Sequence, residues 1–299
     1  MVSSWSVREM AMKPTIERPT GHDDSVFVAS VSGGKDSTAT VLAMIEAGIP
    51  FRAVFADTGW EAQETYDYLD MLRHRLSITI DRVGVEGGFR AQAIKEGILP
   101  HGKTAWCTRE LKIKPIKAYH ERIAVECATD TVSVVGIRRE ESAKRAAILR
   151  EFTYSDEWRG YVWMPLLAWK VEEVLAIHHR HGIPVNPLYK DGFSRVGCRP
   201  CRNARKGEIR LWADTHPEVI DDVRALEKAV TEERHRRGHS GNATFFHLDQ
   251  GVAVGIDEVV AWSRTSRGGR QLPLIQEGPD GGCFRWGMCE PPTRDDEGE

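Results

Sequence analysis

Apolar and polar positions follow two different periods along the first two-thirds of the chain. Four short runs rich in apolar and β-branched residues, "VFVASV", "FRAVFAD", "SITIDRV" and "TVSVVG", read as strands. Between and after them, residues 37–47, 62–75, 89–96 and 112–125 carry apolar positions three and four apart, which predicts helices. One more amphipathic helix, 170–181, is stopped by Gly182 and Pro184. Strands without polar alternation, spaced by helices, predict an α/β fold: a Rossmann-like, mostly parallel sheet covered by helices on both faces. Beyond residue 190 the pattern changes to a glycine- and arginine-rich stretch, a charged helix over 217–236 and a glycine-rich tail. This C-terminal region is expected to be anchored by something besides apolar burial.

Composition narrows the class without naming it. The chain has 299 residues, is 41% hydrophobic and carries a formal net charge of −3, so a core of ordinary size is available and a uniformly basic nucleic-acid binder is not indicated. No run approaches the roughly 18 to 20 apolar residues of a membrane helix, and "MVSSWSVREMAMK" lacks an apolar leader. The expectation is a cytoplasmic protein with no membrane partner. In that reducing setting the six cysteines are expected to do metal or redox work rather than form disulfides.

The first strand runs into "SGGKDS". Beyond the carboxyl end of a parallel strand, a helix N-terminus offers unpaired N–H groups and a favourable dipole to an anion. Gly33 and Gly34 allow close backbone approach, Ser32 and Ser37 supply hydroxyls, and Lys35 adds charge. The plain alternative is a tight turn in which Asp36 or Ser37 only caps the helix.

Three ordered motifs carry a resemblance. "SGGKDS" resembles the PP-loop of the adenine nucleotide α-hydrolase superfamily, whose members include ATP pyrophosphatases, sulfate adenylyltransferase small subunits and sulfonucleotide reductases. "FADTGWEAQET", with Asp57, Thr58, Gly59, Glu64 and Thr65, is similar to the second-strand segment of that superfamily. "VVGIRREESAKRA" resembles its Gly-x-Arg segment, through Gly136, Arg138, Arg139, Glu141, Ser142 and Arg145. The resemblance implies nucleotide binding by Ser32, Gly33, Gly34, Lys35, Asp36, Ser37, Asp57, Thr58, Gly59, Gly136, Arg138 and Arg145. It implies catalysis by Lys35, Asp36, Asp57 and Arg138, and it suggests Trp60 beside the adenine. Arginines suit bidentate phosphate or sulfate recognition.

"GCRPC" places Cys198 and Cys201 at the C-x-x-C spacing, which by itself leaves zinc, an iron–sulfur cluster and a redox dithiol open. Together with Cys107 in "WCTRELKIKP" and the "NPLY" stretch before the cysteines, it resembles the phosphoadenosine phosphosulfate (PAPS) reductase-like family, closest in character to the iron–sulfur PP-loop proteins of the DNA phosphorothioation (DndC) type. That resemblance implies a [4Fe–4S] cluster, with zinc as the alternative. Its expected ligands are Cys107, Cys198, Cys201 and Cys289, with Cys283 as substitute for the last. Cys127, in "IAVECATD", reads as a buried small hydrophobe. The tail "GMCE" departs from the Glu-Cys-Gly-(Leu/Ile)-His motif of assimilatory reductases, whereas Asp36 matches the ATP-splitting branch.

Two basic runs complete the inventory: Arg195, Arg199, Arg202, Arg205, Lys206 and Arg210, and then "RHRRGH" from Arg234 to His239. They suit nucleic acid, or else neutralise the thiolates or form a solvated face. His178, His179 and His181 point to different sides of one helix and are expected at the surface or partly packed.

The expected organisation is a flexible arm over 1–24, a PP-loop nucleotide-binding domain over 25–190, a cysteine-bearing region over 191–291 and a disordered tail over 292–299. The expected reaction is attack on the α-phosphate of ATP, with Mg²⁺ held by Asp36 or Asp57, adenylating an acceptor that then takes sulfur from a donor protein. Reduction of PAPS or APS to sulfite is the nearest alternative. A non-catalytic nucleotide-binding subunit of a modification or defence complex is the third.

Overall fold

The computed structural model describes residues 15–101, 104–141, 149–156, 158–247 and 253–265. Six strands form the main sheet: β1 (Val26–Ser30), β2 (Phe51–Asp57), β3 (Ile80–Gly84), β4 (Thr131–Val134), β5 (Phe152–Ser155) and β6 (Gly160–Trp163), in the order β3-β2-β1-β4-β6-β5. All neighbours are parallel except β5 and β6, which pair antiparallel at the edge. The chain moves from β1 outward to β3 and then returns to place β4 on the other side of β1. Strand order therefore reverses between β1 and β4, and in open parallel sheets a crevice forms at that point.

Residue alternation on β1 explains the layers. Phe27, Ala29 and Val31 face one side, where they pack with Val41, Leu42 and Met44 of α1 (Lys35–Glu46), Leu69 and Leu72 of α2 (Gln63–Leu76), and Val174 and Ile177 of a later helix over Val171–Arg180. Val28 and Val54 face the other side, against Tyr119 and Ile123 of a helix over Lys114–Cys127. In chain order these two helices follow α3 (Gly88–Glu96) and are α4 (Lys114–Cys127) and α5 (Val171–Arg180). A short helical segment, Trp106–Thr108, and a π-helical turn, Arg109–Ile113, lead into α4. Cys127 at its end is partly buried against Val28 and Tyr119, in keeping with its expected packing role.

The C-terminal part contributes α6 (Lys206–Thr215), α7 (Pro217–Arg236), a small antiparallel pair β7 (Phe246–His247) and β8 (Ala253–Val254), and α8 (Ile256–Ser263). A second apolar cluster joins it to the sheet layer. Trp60, Phe89 and Trp106 pack with Trp212, Val223, Leu226 and Phe245. Trp60 and Phe89 lie 5.1 Å apart, Phe89 and Trp106 5.3 Å, and Phe89 and Phe245 5.7 Å between ring centroids. Such ring pairs add roughly 0.5–1.5 kcal/mol each beyond their area burial. The buried Glu227 carboxylate adds a polar tie by accepting the Phe245 and Ile256 amides, both at 3.0 Å. Burial raises its pKa against those two hydrogen bonds.

Residues 15–24, assigned to a flexible arm, pack on the sheet from Ile16 onward. The Arg18 guanidinium lies 5.1 Å over the Phe27 ring, and His22 meets Tyr161 at 4.5 Å. The expectations for residues 1–14 and 292–299 fall outside the described residues. No helix among the described residues is long and apolar enough to cross a membrane.

Candidate functional site

A cavity of about 520 Å³ opens beyond the carboxyl ends of β1 and β4. One wall is the turn: Ser32, Gly34, Lys35, Asp36 and Ser37, with Gly136 and Arg138 beside it. The opposite wall is the cysteine-bearing segment, through Arg195, Gly197, Asn203 and Arg205, with Lys112 and Glu61 between the two.

The turn is built by backbone constraint. Gly33 has φ +76°, and a Cβ there would stand 2.9 Å from the Thr65 methyl group, so only glycine fits both the conformation and the space. Gly136 is excluded from change by space alone, since a Cβ would lie 2.6 Å from the Asp36 carbonyl oxygen. The Ser32 amide donates to Ser37 Oγ at 3.1 Å, and Ser37 Oγ donates to the Gly34 carbonyl at 3.0 Å. From behind, Asn186 Nδ2 donates to the Gly33 carbonyl at 3.2 Å and His178 Nε2 to the Lys35 carbonyl at 2.9 Å.

Charge at this wall is matched by charge. Asp36 takes Arg138 Nε at 2.6 Å on one carboxylate oxygen and Lys35 Nζ at 3.1 Å on the other. Arg138 also donates to Glu140, whose carboxylate accepts the Val171 amide at the start of α5. Burial opposes the Lys35 charge, but Tyr189 and Asp36 hold its pKa above the ordinary lysine value. Burial likewise opposes the Arg138 charge and Asp36 outweighs it. Asp36 is thus more than a helix cap: it joins the N-terminus of α1 to the segment after β4.

The Asp57 carboxylate is engaged away from this cavity, accepting the Gly59 amide at 2.9 Å and the Tyr66 hydroxyl at 2.7 Å. Thr58 is buried and donates its hydroxyl to Glu61 at 2.7 Å. Trp60 does not line the cavity: it is 3% exposed, stacked in the C-terminal aromatic cluster. It follows the strand by three residues, and the tight turn at Gly59, φ +65°, precedes it. Glu64 accepts from His216 at 2.9 Å. Glu141 lines the cavity, Arg139 donates to the Leu149 carbonyl, and Ser142 and Arg145 lie outside the described residues.

Cys107, Cys198 and Cys201 come together from two distant segments, within electrostatic reach of one another and of Lys112. Burial pushes the Cys107 and Cys198 thiols up, with Lys112 acting in the opposite direction. Cys198 Sγ donates to Glu61 at 3.9 Å, and the Arg195 guanidinium reaches the Cys201 sulfur. The Lys112 pKa is raised, chiefly by Cys198 and against burial. Cys283 and Cys289 lie outside the described residues. Among those described, no three histidine, cysteine, aspartate or glutamate side chains stand at metal-binding spacing.

Much of the basic charge is committed within the protein. Arg199 pairs with Asp222 at 3.2 Å and donates to the Glu61 carbonyl, Arg210 pairs with Asp214, and Lys206 donates to the Thr265 carbonyl. In the second run, Arg236 and Arg237 both bind Glu233. Of the three histidines, His179 is exposed and His181 pairs with Glu46 at 3.0 Å. His178 is fully packed instead, and its burial lowers its pKa against its two carbonyl partners.

Glu61, Lys112 and Tyr189 were not singled out from the sequence. Each sits inside a motif that was: Glu61 two residues after Gly59, Lys112 in "LKIKP" and Tyr189 in "NPLY".

Residues 26–204 match the model of the phosphoadenosine phosphosulfate reductase domain. The chain belongs to that family. The PP-loop fold expected from "SGGKDS" follows from this membership. Among relatives of this PAPS reductase family member, an uncharacterized 37.8 kDa protein of Escherichia phage 186 is 31% identical over 312 residues, covering 85% of this chain and 92% of the phage protein. The adenosine 5'-phosphosulfate reductase of Allochromatium vinosum is 27% identical, covering 66% of this chain and 75% of that enzyme. A crystal structure of phosphoadenylyl-sulfate reductase from Candida auris, in a phosphate complex, aligns with a TM-score of 0.44 at 19% identity, over 57% of this chain and 80% of that one.

Proposed function

We propose that this chain binds ATP with its phosphates on the 32–37 turn and splits it at the α-phosphate. An acceptor oxygen attacks the α-phosphorus and pyrophosphate leaves on the turn; a sulfur nucleophile from the donor then attacks the adenylated acceptor, and AMP leaves with the acceptor's oxygen. The observation that carries this reading is that the phosphate-type turn and the cysteine-bearing segment line one cavity. Lys35 and Arg138 would stabilise the charge that develops on the phosphates. Asp36 would hold both cations in place.

The two carboxylates assigned to Mg²⁺ do not form a ready site. Both Asp36 oxygens carry cations, and Asp57 is turned to Gly59 and Tyr66. No step is assigned to either as a metal ligand.

The thiols are the softer donor set, although as placed no three of the described histidine, cysteine, aspartate or glutamate side chains stand at metal-binding spacing. Three half-buried cysteines lie near two cations, Lys112 and Arg195, which would balance the negative charge of bound thiolates. Cys107, Cys198 and Cys201 would hold three positions of a [4Fe–4S] cluster, or of zinc, with Cys289 or Cys283 the fourth. A bound cluster would supply electrons or sulfur for the transfer. Such thiols belong in a reducing compartment, with a sulfur donor as partner.

The second reading, reduction of an already sulfated adenine nucleotide to sulfite, is favoured by the family match and the adenosine 5'-phosphosulfate reductase relative. One experiment separates them. Anaerobically purified protein is given ATP with candidate acceptors, including nucleic acid, and separately APS or PAPS with thioredoxin. Acceptor-dependent pyrophosphate release supports the first reading. Sulfite release without pyrophosphate release replaces it with the second, and nucleotide binding with neither product leaves a binding subunit.

A further inference from the structure

Tyr189 lies in the short 3-10 turn Pro187–Tyr189, between the phosphate-type turn and the cysteine segment. Its hydroxyl oxygen accepts the Lys35 amide at 3.3 Å, at the first residue of α1, and the Lys35 ammonium lies 5.2 Å over its ring. A Cβ built on Gly34 would stand 3.5 Å from the same oxygen, so the hydroxyl sits directly on the turn. Val196, between Arg195 and Gly197, lines the same cavity. Tyr189 itself lines the cavity.

The proton count makes the arrangement informative. A phenol carries one hydrogen to donate and lone pairs to accept. Here the Lys35 amide uses the accepting side, and no hydrogen bond from the Tyr189 hydroxyl to a described residue is found. The Lys35 bond is long for an N–H···O contact, which leaves that amide able to serve an anion too. Burial raises the Tyr189 pKa against the nearby Lys35 charge, so the phenol keeps its proton at neutral pH.

We propose that Tyr189 is an additional ligand-binding residue, whose hydroxyl, held in place by the Lys35 amide, donates its hydrogen to a phosphate or sulfate oxygen of the bound nucleotide. Because Tyr189 is joined to the turn through Lys35 and lines the same cavity as Arg195, Val196 and Gly197, this contact would hold the anion between the turn and the cysteine-bearing segment. The inference rests on the nucleotide reading above and adds to it a residue outside the three motifs that define the turn.

The test compares wild type, Tyr189→Phe and Tyr189→Leu by calorimetric binding of ATP, inorganic pyrophosphate and adenosine to the full chain. Tyr189→Phe keeps the ring beneath Lys35 and removes only the hydroxyl. It is expected to weaken ATP and pyrophosphate by the same factor, roughly tenfold to a hundredfold, the size of one hydrogen bond to a charged group. Adenosine binding and the thermal midpoint should not move. Tyr189→Phe binding pyrophosphate as wild type does, with loss only in Tyr189→Leu, would assign the effect to the ring and overturn the proposal alone. Failure of wild type to bind either ATP or pyrophosphate would overturn the nucleotide reading and this inference with it.

Discussion

The two walls of the cavity are held by opposite strategies. At the turn, opposite charges meet at bonding distance: Asp36 lies between Lys35 and Arg138, and the glycines at 33 and 136 let neighbouring backbone and side chains close around it. At the cysteine wall, Lys112 stands among the Cys107, Cys198 and Cys201 sulfurs with Glu61 nearby, and Arg195 reaches the Cys201 sulfur and pairs with Glu208 at 3.7 Å, so the cations there are shared between sulfurs and carboxylates. The first wall is complete as a protein structure and offers its remaining N–H groups to a ligand. The second gathers cations around sulfurs that binding of a metal would convert to thiolates.

The largest effect should come from breaking the matched wall. Asp36→Ala removes the anion between two cations and is expected to lower nucleotide turnover by roughly a thousandfold, the scale of losing one preorganised electrostatic contact. It also takes from the buried Arg138 its closest buried anion, leaving Glu140 and Glu141, at a cost of about 3 kcal/mol, which denaturant melts should register while the far-ultraviolet circular dichroism stays native. Wild-type turnover in this variant would remove Asp36 from the machinery.

Gly136→Ala probes the same wall through space rather than charge. The added methyl would stand 2.6 Å from the Asp36 carbonyl oxygen and 2.8 Å from Thr40 Oγ1, so the first turn of α1 or the segment after β4 must shift. The expected destabilisation is about 2–3 kcal/mol, read from the shift in urea midpoint, with nucleotide affinity falling as well. An unchanged midpoint would mean that this wall yields more easily than its packing indicates.

The difference between the walls also explains which features were legible in the sequence. β2 runs over Phe51–Asp57 and α7 over Pro217–Arg236, the limits read from the apolar runs, because each is a single uninterrupted pattern with clear ends. The turn at 32–37 was legible since its glycines, lysine and aspartate lie within six residues of one another. β5 and β6, four residues each, were missed: "FTYS" and "GYVW" are too short to establish a period. The attachment of the C-terminal part was missed for a different reason. Trp60, Phe89, Trp106 and Phe245 are each isolated in sequence, and their stacking exists only once the chain is folded. Trp60 consequently looked like a pocket residue, while Glu61, one position on, is the residue that lines the cavity. The same limit applies to Lys112, whose three sulfur neighbours come from residues 107, 198 and 201.

Lys112 allows the smallest and most discriminating test of the comparison. If the cysteine wall awaits an anionic centre, Lys112→Met should matter chiefly when that centre is present. In the metal-free protein, Lys112→Met removes the desolvation cost of the charge together with its attraction to Glu61, so the thermal midpoint of chelator-treated protein is expected to move little. In protein purified anaerobically with its metal, the same change should weaken retention roughly tenfold, as loss of a group supporting a metal site typically does. Iron, zinc and acid-labile sulfide per chain, measured after buffer exchange, would register the loss. A large fall in the midpoint of the metal-free protein, with metal content unchanged, would instead make Lys112 a structural partner of Glu61, and the two walls would then be built alike.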